Sequence, residues 1–562
     1  MLRRPGIGLL VADARSVAAE KELARIKAST WWRMTAPGRA VVDRFKNRSD
    51  RSKSDKRAKQ QAAALEALHL AETGDKGEAL RGRLKTVLAQ YKVEHSSERD
   101  LDSTIQAVRE LLAENVAENE LLWLLHIAFL GEVPNEAALQ RLKADVFFGD
   151  AAALVDDLFE QWQRAPSSWS LVAPMRLVTV PTVDVTFTAS SRLRTGIQRV
   201  VREVVPRWKA ENDLELIIFD YGAKVWRRPT NIESGNVLLW SKWPRNESPQ
   251  DGVVDYTIVV PWRTVVVLVE FVAEAARIER LRALPHWSGS RVSLTYYDLI
   301  PIALPAMVPA QSVADSAQFL SVTRVAHRVS AISGYVAAEL TNICNALNAY
   351  CAKQPDIKAQ PIPVSAREVA PEKAAAAAAK YAITSELPTV LCVSSTEPRK
   401  NHLRLLQAAE ILWREGNQFQ LLLFGASTWD SAEFERELKI LLDQGRPVLN
   451  VFKASETDLW SVYRLARFTV FVSLAEGFGL PAAESLAAGT PVVLSNHGSM
   501  VEIGQAGGVE FVDARSVEAI AAGMRDLLVN DTHLAQLKEQ IAGRVDTKWD
   551  DYARDSWEWL HG

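Results

Sequence analysis

The stretch FTVFVSLAEGFGLPAAESLAAGTPVVLSN, residues 468–496, predicts a strand, a glycine-containing loop, a helix and a second strand. The first apolar run ends at Ser473, and Pro481 suits the start of a helix because its missing N–H is not needed there. Gly489 follows the helix at the position where glycine commonly ends one. Such β-branched strands around a helix are typical of a parallel sheet that is covered on both faces.

The same alternation of strands and helices extends in both directions from this stretch. Further strands are predicted at 388–395, 419–425, 448–452 and 508–513, and an earlier series at 183–187, 214–219, 264–271 and 292–297. Residues 352–386, with prolines and the alanine run 374–379, interrupt the alternation and predict a connection. The fold class is therefore α/β, with two Rossmann-like doubly wound lobes and ligands expected at the carboxyl ends of the strands.

The N-terminal part of the chain has a different character. Residues 58–165 place apolar side chains at spacings of three and four, which predicts an all-helical domain. Residues 1–60 carry 16 Lys and Arg against 6 Asp and Glu, whereas the whole chain has a net charge of −3. The predicted domains are a basic, partly flexible arm (1–57), the helical domain (58–165), an N-terminal Rossmann-like lobe (175–355) and a C-terminal Rossmann-like lobe (386–562).

Composition excludes several classes of protein. The three cysteines have no metal-binding spacing, which fits a reducing compartment without structural zinc. The most apolar stretch, 252–273, is interrupted by Asp255, Arg263 and Glu270, so it is not a transmembrane helix. The opening residues make a poor signal peptide. We therefore expect a cytoplasmic protein that does not bind nucleic acid.

The loop of residues 476–480 has the features of a phosphate-binding site. Gly477 and Gly479 flank Phe478, so backbone N–H groups there and at Leu480 can approach a ligand closely. The helix that follows adds partial positive charge at its N-terminus. Glu476 and Glu484 frame the loop, and carboxylates accept hydrogen bonds from sugar and ribose hydroxyls. In the alternative interpretation, Glu484 only complements the helix dipole and the glycines shape a tight turn.

A second motif, VSSTEPRKNH (393–402), follows the first strand of the same lobe. Because the carboxyl ends of parallel strands meet at one edge, Arg399 and Lys400 should face the same crevice as the Glu476 loop. Two adjacent cations can neutralise a diphosphate leaving group. Alternatively, they are a solvated pair at the start of a helix, where cations are unfavourable unless an anion compensates them.

These motifs resemble the donor-binding lobe of retaining family-four glycosyltransferases, which have the GT-B fold and use nucleotide sugars. The resemblance is strong over residues 386–560. It is fainter over 180–350, where RTGIQRVVREV and YYDLIPIALP resemble the acceptor lobe. It implies transfer of a hexose-type sugar from a nucleotide diphosphate sugar to a glycan acceptor, with retention of configuration and without a metal or cofactor.

The resemblance also implies a role for each residue of the two donor motifs. Glu476 would contact the donor sugar and Glu484 the ribose. Arg399 and Lys400 would hold the diphosphate, with backbone amides contributed by Gly477 to Leu480. We take Glu476, Lys400 and Arg399 as the candidate catalytic residues.

On the acceptor side this chain departs from the family pattern. Tyr297 and Asp298 stand where family members often have a His-Asp pair. Gly196 is the single glycine where the family often has a glycine-rich loop, and an ordinary turn before a helix is the alternative interpretation. These three residues are the acceptor-side candidates.

Two N-terminal features bear on partners. The helical domain resembles modules found beside bacterial surface-polysaccharide glycosyltransferases, and STWWRMTAPGR (29–39) resembles a Trp-Arg motif of lipopolysaccharide-assembly enzymes. Trp31 and Trp32 lie among cations that continue to Lys59. Residues 1–59 therefore predict peripheral binding to anionic lipid at the inner face of the cell membrane, with a lipid-linked acceptor. Alternatively, both tryptophans pack on the helical domain.

Two other functions remain open on the sequence alone. A nucleotide-sugar epimerase on the same fold would need acid and base groups in the cleft and no acceptor. A non-catalytic relative would bind a glycan or nucleotide only, but the intact Glu476, Glu484, Arg399 and Lys400 argue against it. Asp100 and Asp102 form an Asp-x-Asp pair within a helical region, and we expect no metal there.

Overall fold

The computed structural model describes residues 75–562, except 94–99, 116–117, 194, 241–251, 348–353, 427–430, 453 and 546. The predicted basic arm, 1–57, and the proposed membrane contact of residues 1–59 lie outside the described residues. The first described helices are α1 (Lys76–Gln90), α2 (Leu101–Glu114), α3 (Asn119–Leu130), α4 (Glu136–Phe148), α5 (Ala151–Arg164) and the single turn α6 (Trp169–Val172).

Side-chain caps define where these helices begin. Asp75, Asp100, Asn135 and Asp150 precede α1, α2, α4 and α5, and each side chain accepts a hydrogen bond from a backbone N–H of the first turn. Asp100, one of the two residues of the Asp-x-Asp pair, thus has a structural role as a helix cap: its side chain accepts a hydrogen bond from the Ser103 N–H at 2.9 Å.

A buried arginine joins the helices to the first sheet. The Arg83 guanidinium on α1 donates to the carbonyl of Ala128 on α3 at 2.7 Å. It also donates to Leu171 at 2.9 Å and Ala173 at 2.8 Å, in the segment that leads into the first strand. Burial lowers the pKa of Arg83 to about 10. The Trp287 indole donates to Glu136 of α4 at 2.9 Å and provides a second connection.

The first α/β unit contains a nine-stranded sheet in the order β1-β5-β4-β3-β2-β6-β7-β8-β9. Its strands are β1 (Met175–Val178), β2 (Thr182–Asp184), β3 (Glu215–Asp220), β4 (Val225–Arg227), β5 (Ile258–Pro261), β6 (Val265–Leu268), β7 (Arg291–Tyr296), β8 (Arg328–Ala331) and β9 (Asp356–Ala359). Its helices are α7 (Thr186–Ser190), α8 (Gly196–Glu211), α9 (Asn231–Leu238), α10 (Ala275–Trp287), α11 (Ile300–Ala303), α12 (Ala310–Thr323) and α13 (Gly334–Leu347), with a 3-10 turn at Pro305–Met307.

The second α/β unit contains a six-stranded sheet, entirely parallel, in the order β12-β11-β10-β13-β14-β15. The strands are β10 (Thr389–Val393), β11 (Gln420–Phe424), β12 (Val448–Val451), β13 (Phe468–Phe471), β14 (Val492–Ser495) and β15 (Val509–Val512). The helices are α14 (Pro371–Lys380), α15 (His402–Arg414), α16 (Ala432–Asp443), α17 (Glu456–Leu465), α18 (Leu480–Ala487), α19 (Ser499–Gly504), α20 (Val517–Val529), α21 (Asp531–Ala542) and α22 (Trp549–His561), with a 3-10 turn at Pro398–Lys400.

Both faces of the second sheet are covered by helices. Val390 and Cys392 of β10 belong to a core with α15, α16, α20 and α21, whereas Leu391, between them, packs in a core with α14 and α17. Successive side chains of a strand point to opposite faces, so a strand buried on both faces must be apolar throughout. The α/β fold class predicted from these runs is confirmed.

Some strands of the first sheet were not predicted, and one pairing differs from the prediction. β4 runs antiparallel to β3 and β5, because a turn of four residues, 221–224, cannot return the chain for a parallel strand. β9 lies in the segment predicted as a connection, and its sequence DIKA is a largely exposed edge strand without an apolar run.

The strand predicted at 183–187 ends earlier, at Asp184. The carboxylate of this buried residue accepts hydrogen bonds from the Thr186 backbone N–H at 3.1 Å and the Thr186 hydroxyl at 2.5 Å. These local bonds turn the chain into α7.

The last helix returns to the first unit, although the sequence grouped it with the donor lobe, 386–562. The Trp208 indole of α8 donates to the carbonyl of Ala553 in α22 at 2.7 Å, and Arg291 donates to the carbonyl of Gly562 at 2.8 Å. The chain therefore crosses between the two units twice, before α14 and before α22. No helix in the described part of the chain combines the length and the apolar character that crossing a bilayer requires.

Candidate active site

Arg399 and Lys400 lie in the 3-10 turn that follows β10, at the carboxyl edge of the second sheet. Asn401 ends this turn in the left-handed conformation, with φ of 66°. Its side-chain amide donates to the carbonyls of Val472 at 3.0 Å and Ala514 at 2.7 Å. These bonds fix the turn against the loops that follow β13 and β15, so both cations are held beside the Glu476 loop.

The Glu476 carboxylate contacts both Lys400 and Arg399. Lys400 Nζ lies 2.5 Å from Glu476 Oε1, and an Arg399 guanidinium nitrogen lies 3.1 Å from Oε2. The Glu476 side chain is only 9% exposed. Burial alone would raise the pKa of this carboxyl, but the attraction of Lys400 and Arg399 exceeds that effect and lowers it. Arg399, Lys400 and Glu476, which come from two separate sequence motifs, thus form one charged cluster in which Glu476 is ionised.

The start of α18 lies next to this cluster. Gly479 precedes the helix with φ of 107°, a backbone conformation that favours glycine, and no side chain caps the first turn. Pro481 has no N–H, and the Ala482 N–H donates to the Gly479 carbonyl at 3.0 Å, so Leu480 provides the N–H of the first turn that an anion can use. The helix dipole adds partial positive charge there. The phosphate-binding role of residues 477–480 stays a prediction.

Glu484, in α18, contacts groups that the sequence did not indicate. Arg199 of α8, in the other α/β unit, donates to its carboxylate at 2.6 Å, and the Tyr463 hydroxyl donates at 3.1 Å. Burial raises the pKa of Glu484, and the Arg199 charge opposes that rise. Arg199 belongs to the RTGIQR motif, but its partner is 285 residues away, and only the fold brings the two together.

The acceptor-side candidates also face the second unit. A Cβ placed on Gly477 would lie 2.1 Å from the Tyr297 carbonyl oxygen and 2.9 Å from Asp298 Cβ. A Cβ on Gly196 would lie 2.9 Å from a methyl carbon of Leu480. The structure therefore brings all three acceptor-side candidates to the loop of residues 476–480, called the donor loop below. This close approach requires glycine at position 477.

Asp298, among the acceptor-side candidates, interacts electrostatically with all three residues of the charged cluster. Burial raises its pKa, and Glu476 raises it further, whereas Arg399 and Lys400 lower it. The Tyr297 hydroxyl donates to the carbonyl of Val269 at 2.7 Å, and burial raises the pKa of Tyr297 well above its ordinary value. Tyr297 thus supports the loop, and Asp298 is the group of this pair that can interact with a ligand.

Two further contacts across the cleft were not predicted. The Ser333 hydroxyl donates to the Gly477 carbonyl at 2.7 Å. Glu502 of α19 accepts hydrogen bonds from the backbone N–H groups of Gly334, at 2.8 Å, and Tyr335. Glu502 therefore caps α13 of the opposite unit, and these contacts hold the two sheet edges close together.

The histidines beside the motifs have structural partners. His402 lies 3.2 Å from the Ser394 hydroxyl, and burial, with a smaller contribution from Lys400, lowers its pKa to about 4. His497 contacts the carbonyl of Leu474 at 2.9 Å.

One group of three side chains in the described residues has ligand atoms close enough to hold a metal ion: Glu510, Asp526 and His533. It lies on β15, α20 and α21. His533 is hydrogen-bonded to Asp526 and lies 3.8 Å from Glu510, so these side chains already pair with one another. The group includes none of the residues that form the cleft.

Comparison with known proteins gives a match over the second unit. Residues 374–544, which carry the charged cluster and α18, match the family model for glycosyl transferases group 1. This segment is similar to members of that family. Two Rossmann-like units that face each other across such a cleft form the GT-B architecture.

The curated proteins that the chain matches are named as mannosyltransferases. It is 24% identical over 371 residues to the serotype-specific mannosyltransferase WbdA of Escherichia coli, covering 63% of this chain and 43% of the relative. It is 35% identical over 147 residues to the O-antigen chain mannosyltransferase B of Escherichia coli, covering 25% of this chain and 37% of the relative. The chain thus spans less than half the length of these curated relatives.

Among solved structures, Anabaena Alr3699/HepE in complex with UDP and glucose superposes with a TM-score of 0.48 at 12% identity. That superposition covers 68% of this chain and 99% of that one.

Proposed function

We propose that this protein is a retaining glycosyltransferase that moves a hexosyl group from a nucleotide diphosphate sugar to a hydroxyl group of a glycan. The observation that carries the proposal is the convergence of Lys400 and Arg399 on Glu476, beside the uncapped start of α18. The family of residues 374–544 supports the same interpretation.

The charged cluster matches the needs of a diphosphate leaving group. Lys400 has three N–H donors, and one contact to Glu476 leaves the others for phosphate oxygens. Fixed positive charge stabilises the negative charge that develops on the leaving oxygen, and it costs no reorganisation during the reaction. The scheme therefore needs no metal ion.

The carboxylates have separate roles in this proposal. Glu476, held ionised by the two cations, orients the sugar and stabilises the oxocarbenium-like charge that builds at its anomeric carbon. Glu484 accepts hydrogen bonds from the ribose hydroxyls and shares its carboxylate with Arg199 and Tyr463. Only the first interaction grows stronger in the transition state.

In the reaction, the bond between the anomeric carbon and the β-phosphate oxygen breaks. A new bond forms from the acceptor oxygen to the same face of that carbon, and the acceptor proton passes to the leaving phosphate. The nucleoside diphosphate is the second product. Close contact of the lobes excludes water, since hydrolysis of the donor is the competing reaction.

The relatives guide the choice of substrates. Both are named as mannosyltransferases, and one acts on the O-antigen chain by its name, so a mannosyl donor and a polysaccharide acceptor are the first candidates. We further propose a lipid-linked acceptor and a peripheral position at the inner face of the cell membrane. The basic residues 1–59 would provide that attachment.

A product assay tests the proposal. The protein is incubated with one of five donors: GDP-mannose, UDP-glucose, UDP-galactose, UDP-N-acetylglucosamine or dTDP-rhamnose. Each reaction is run with and without methyl hexosides as acceptors, and the released nucleoside diphosphate is measured. A glycosyltransferase releases diphosphate faster with an acceptor and yields a disaccharide whose new linkage keeps the donor configuration. Epimerised donor without transfer indicates the epimerase, and binding without any product indicates the non-catalytic relative. Either result contradicts the proposal.

A further inference from the structure

A cavity of 210 Å³ opens in the first lobe between the end of β7 and helix α12. Its lining combines aromatic rings with carboxylates and hydroxyls, and neither sequence motif of the donor site contributes to it. The lining residues used below are Phe271, Tyr296, Asp298, Ser312, Asp315 and Phe319.

One wall of the cavity is aromatic. The Tyr296 and Phe319 rings are stacked with centroids 5.6 Å apart, and Phe271 meets Phe319 edge-on at 5.0 Å. Tyr296 is 2% exposed, so its ring is packed tightly into this wall. The wall therefore offers an apolar, aromatic surface to a ligand.

The polar part of the lining comes from α12. Ser312, Asp315 and Ser316 lie on the same side of the helix as Phe319, because these four residues recur at spacings of three and four. One carboxylate oxygen of Asp315 accepts from the Gln311 side chain at 2.7 Å, and the other has no partner among the described residues. Hydroxyl groups of a ligand thus meet a carboxylate acceptor and two serine hydroxyls.

The cavity lies beside the donor loop. Asp298 lines the cavity, and its Cβ would lie 2.9 Å from a Cβ placed on Gly477. Ile197 of the lining follows Gly196, which approaches Leu480. A ligand in this cavity is therefore next to the contacts between the two lobes at Gly477 and Gly196.

We propose that this cavity binds a single hexopyranose ring, the terminal sugar of the acceptor glycan, and that the α12 face determines which sugar is accepted. A pyranose has apolar C–H faces for the aromatic wall and a rim of hydroxyls for the polar side chains of α12. The volume is below the roughly 300–1,000 Å³ of pockets that enclose drug-sized ligands, so it fits one ring and not an oligosaccharide. The proposal rests on the transferase function above and specifies its acceptor site.

Binding of simple glycosides tests the proposal without any donor. Methyl α-D-mannopyranoside, methyl α-D-glucopyranoside and methyl α-D-galactopyranoside are titrated into the full chain, and saturation-transfer NMR measures their affinity. At least one should bind, and D315A should weaken that binding by about tenfold or more, since a hydrogen bond to a charged group is lost. S312W, which fills the cavity, should abolish it.

The control is Q318A, on the exposed side of the same helix, which should bind like the wild type. Thermal melting of each variant checks folding, and S312W alone still decides the matter if D315A unfolds. Binding of none of the glycosides, or equal binding by S312W and the wild type, would overturn the proposal. Calorimetry on the same proteins measures nucleotide affinity and tests the proposed function separately. If no nucleotide binds, the transferase function is rejected, and the result on sugar binding is unaffected.

Discussion

Replacing Lys400 with alanine probes the charged cluster most informatively. The variant removes one of two cations from Glu476, while Arg399 keeps its contact at 3.1 Å. In the proposed mechanism, Lys400 also stabilises charge on the departing diphosphate. Loss of one preorganised donor of this kind costs about 2.7–4 kcal/mol of transition-state stabilisation, so we expect kcat to fall by roughly 10²–10³.

The same substitution has a cost in stability. Breaking a buried ion pair by removing one partner costs about 3–5 kcal/mol, because the other charge stays buried. Glu476 is 9% exposed, but the Arg399 contact remains, so we expect the lower end of that range. Such a loss lowers the denaturant midpoint without abolishing folding.

The pH dependence gives a second readout. Lys400 and Arg399 lower the pKa of Glu476 in the folded protein, so the pair contributes stability at neutral pH that is lost as the pH falls through that lowered value. Without Lys400 the pKa of Glu476 rises, so activity, which requires the ionised carboxylate, should begin to decline at a higher pH than in the wild type. The loss of stability between neutral and acidic pH should be smaller in the variant, because the folded-state pKa is then less depressed.

The matched control is Lys439→Ala. Lys439 also forms an ion pair at 2.5 Å, with Asp443, but on the exposed face of α16. Exposed pairs contribute about 0.3–0.5 kcal/mol, so this variant should retain wild-type turnover and pH profile. Wild-type kcat in Lys400→Ala, or an equal loss in Lys439→Ala, would refute the assignment of the diphosphate site.

Three further predictions concern the two carboxylates, Gly477 and the N-terminal basic residues. Glu476→Gln should reduce turnover more than it reduces nucleotide affinity, whereas Glu484→Ala should do the reverse in calorimetry and steady-state kinetics; equal effects on affinity would reject the division of roles. Gly477→Ala places a methyl group 2.1 Å from a backbone oxygen, so turnover should fall about a hundredfold or more, whereas Gly82→Ala, in open space on α1, should have wild-type kinetics. Full-length protein should co-sediment with anionic but not neutral vesicles at low salt, and a chain lacking residues 1–58 should stay in solution; equal partitioning would exclude the membrane role.

The second lobe was predictable because its four central strands, β10, β11, β13 and β14, are buried on both faces. All six of its strands appear in the sequence as apolar runs, and Pro481 and Gly489 mark the ends of α18. The first sheet was less predictable. Strands such as β4, with three residues, or β9, at an exposed edge, do not need an apolar run.

For the candidate site, the sequence indicated the residues of each motif but not their partners. Arg399, Lys400 and Glu476 were expected to share a crevice because parallel strands end at one edge, and they lie in contact. The pairing of Arg199 with Glu484 depends on the distance between two lobes, which no spacing within either motif encodes. The acceptor cavity likewise depends on how α12 packs over β7.

A ligand-bound structure tests the central claim most directly. Crystals are grown with GDP or UDP at millimolar concentration, and the position of the diphosphate is determined. The account predicts that its oxygens lie within hydrogen-bonding distance of Lys400, Arg399 and the Leu480 N–H, with the ribose against Glu484. A nucleotide bound away from this cluster, or none bound while the cleft is open to solvent, would contradict it.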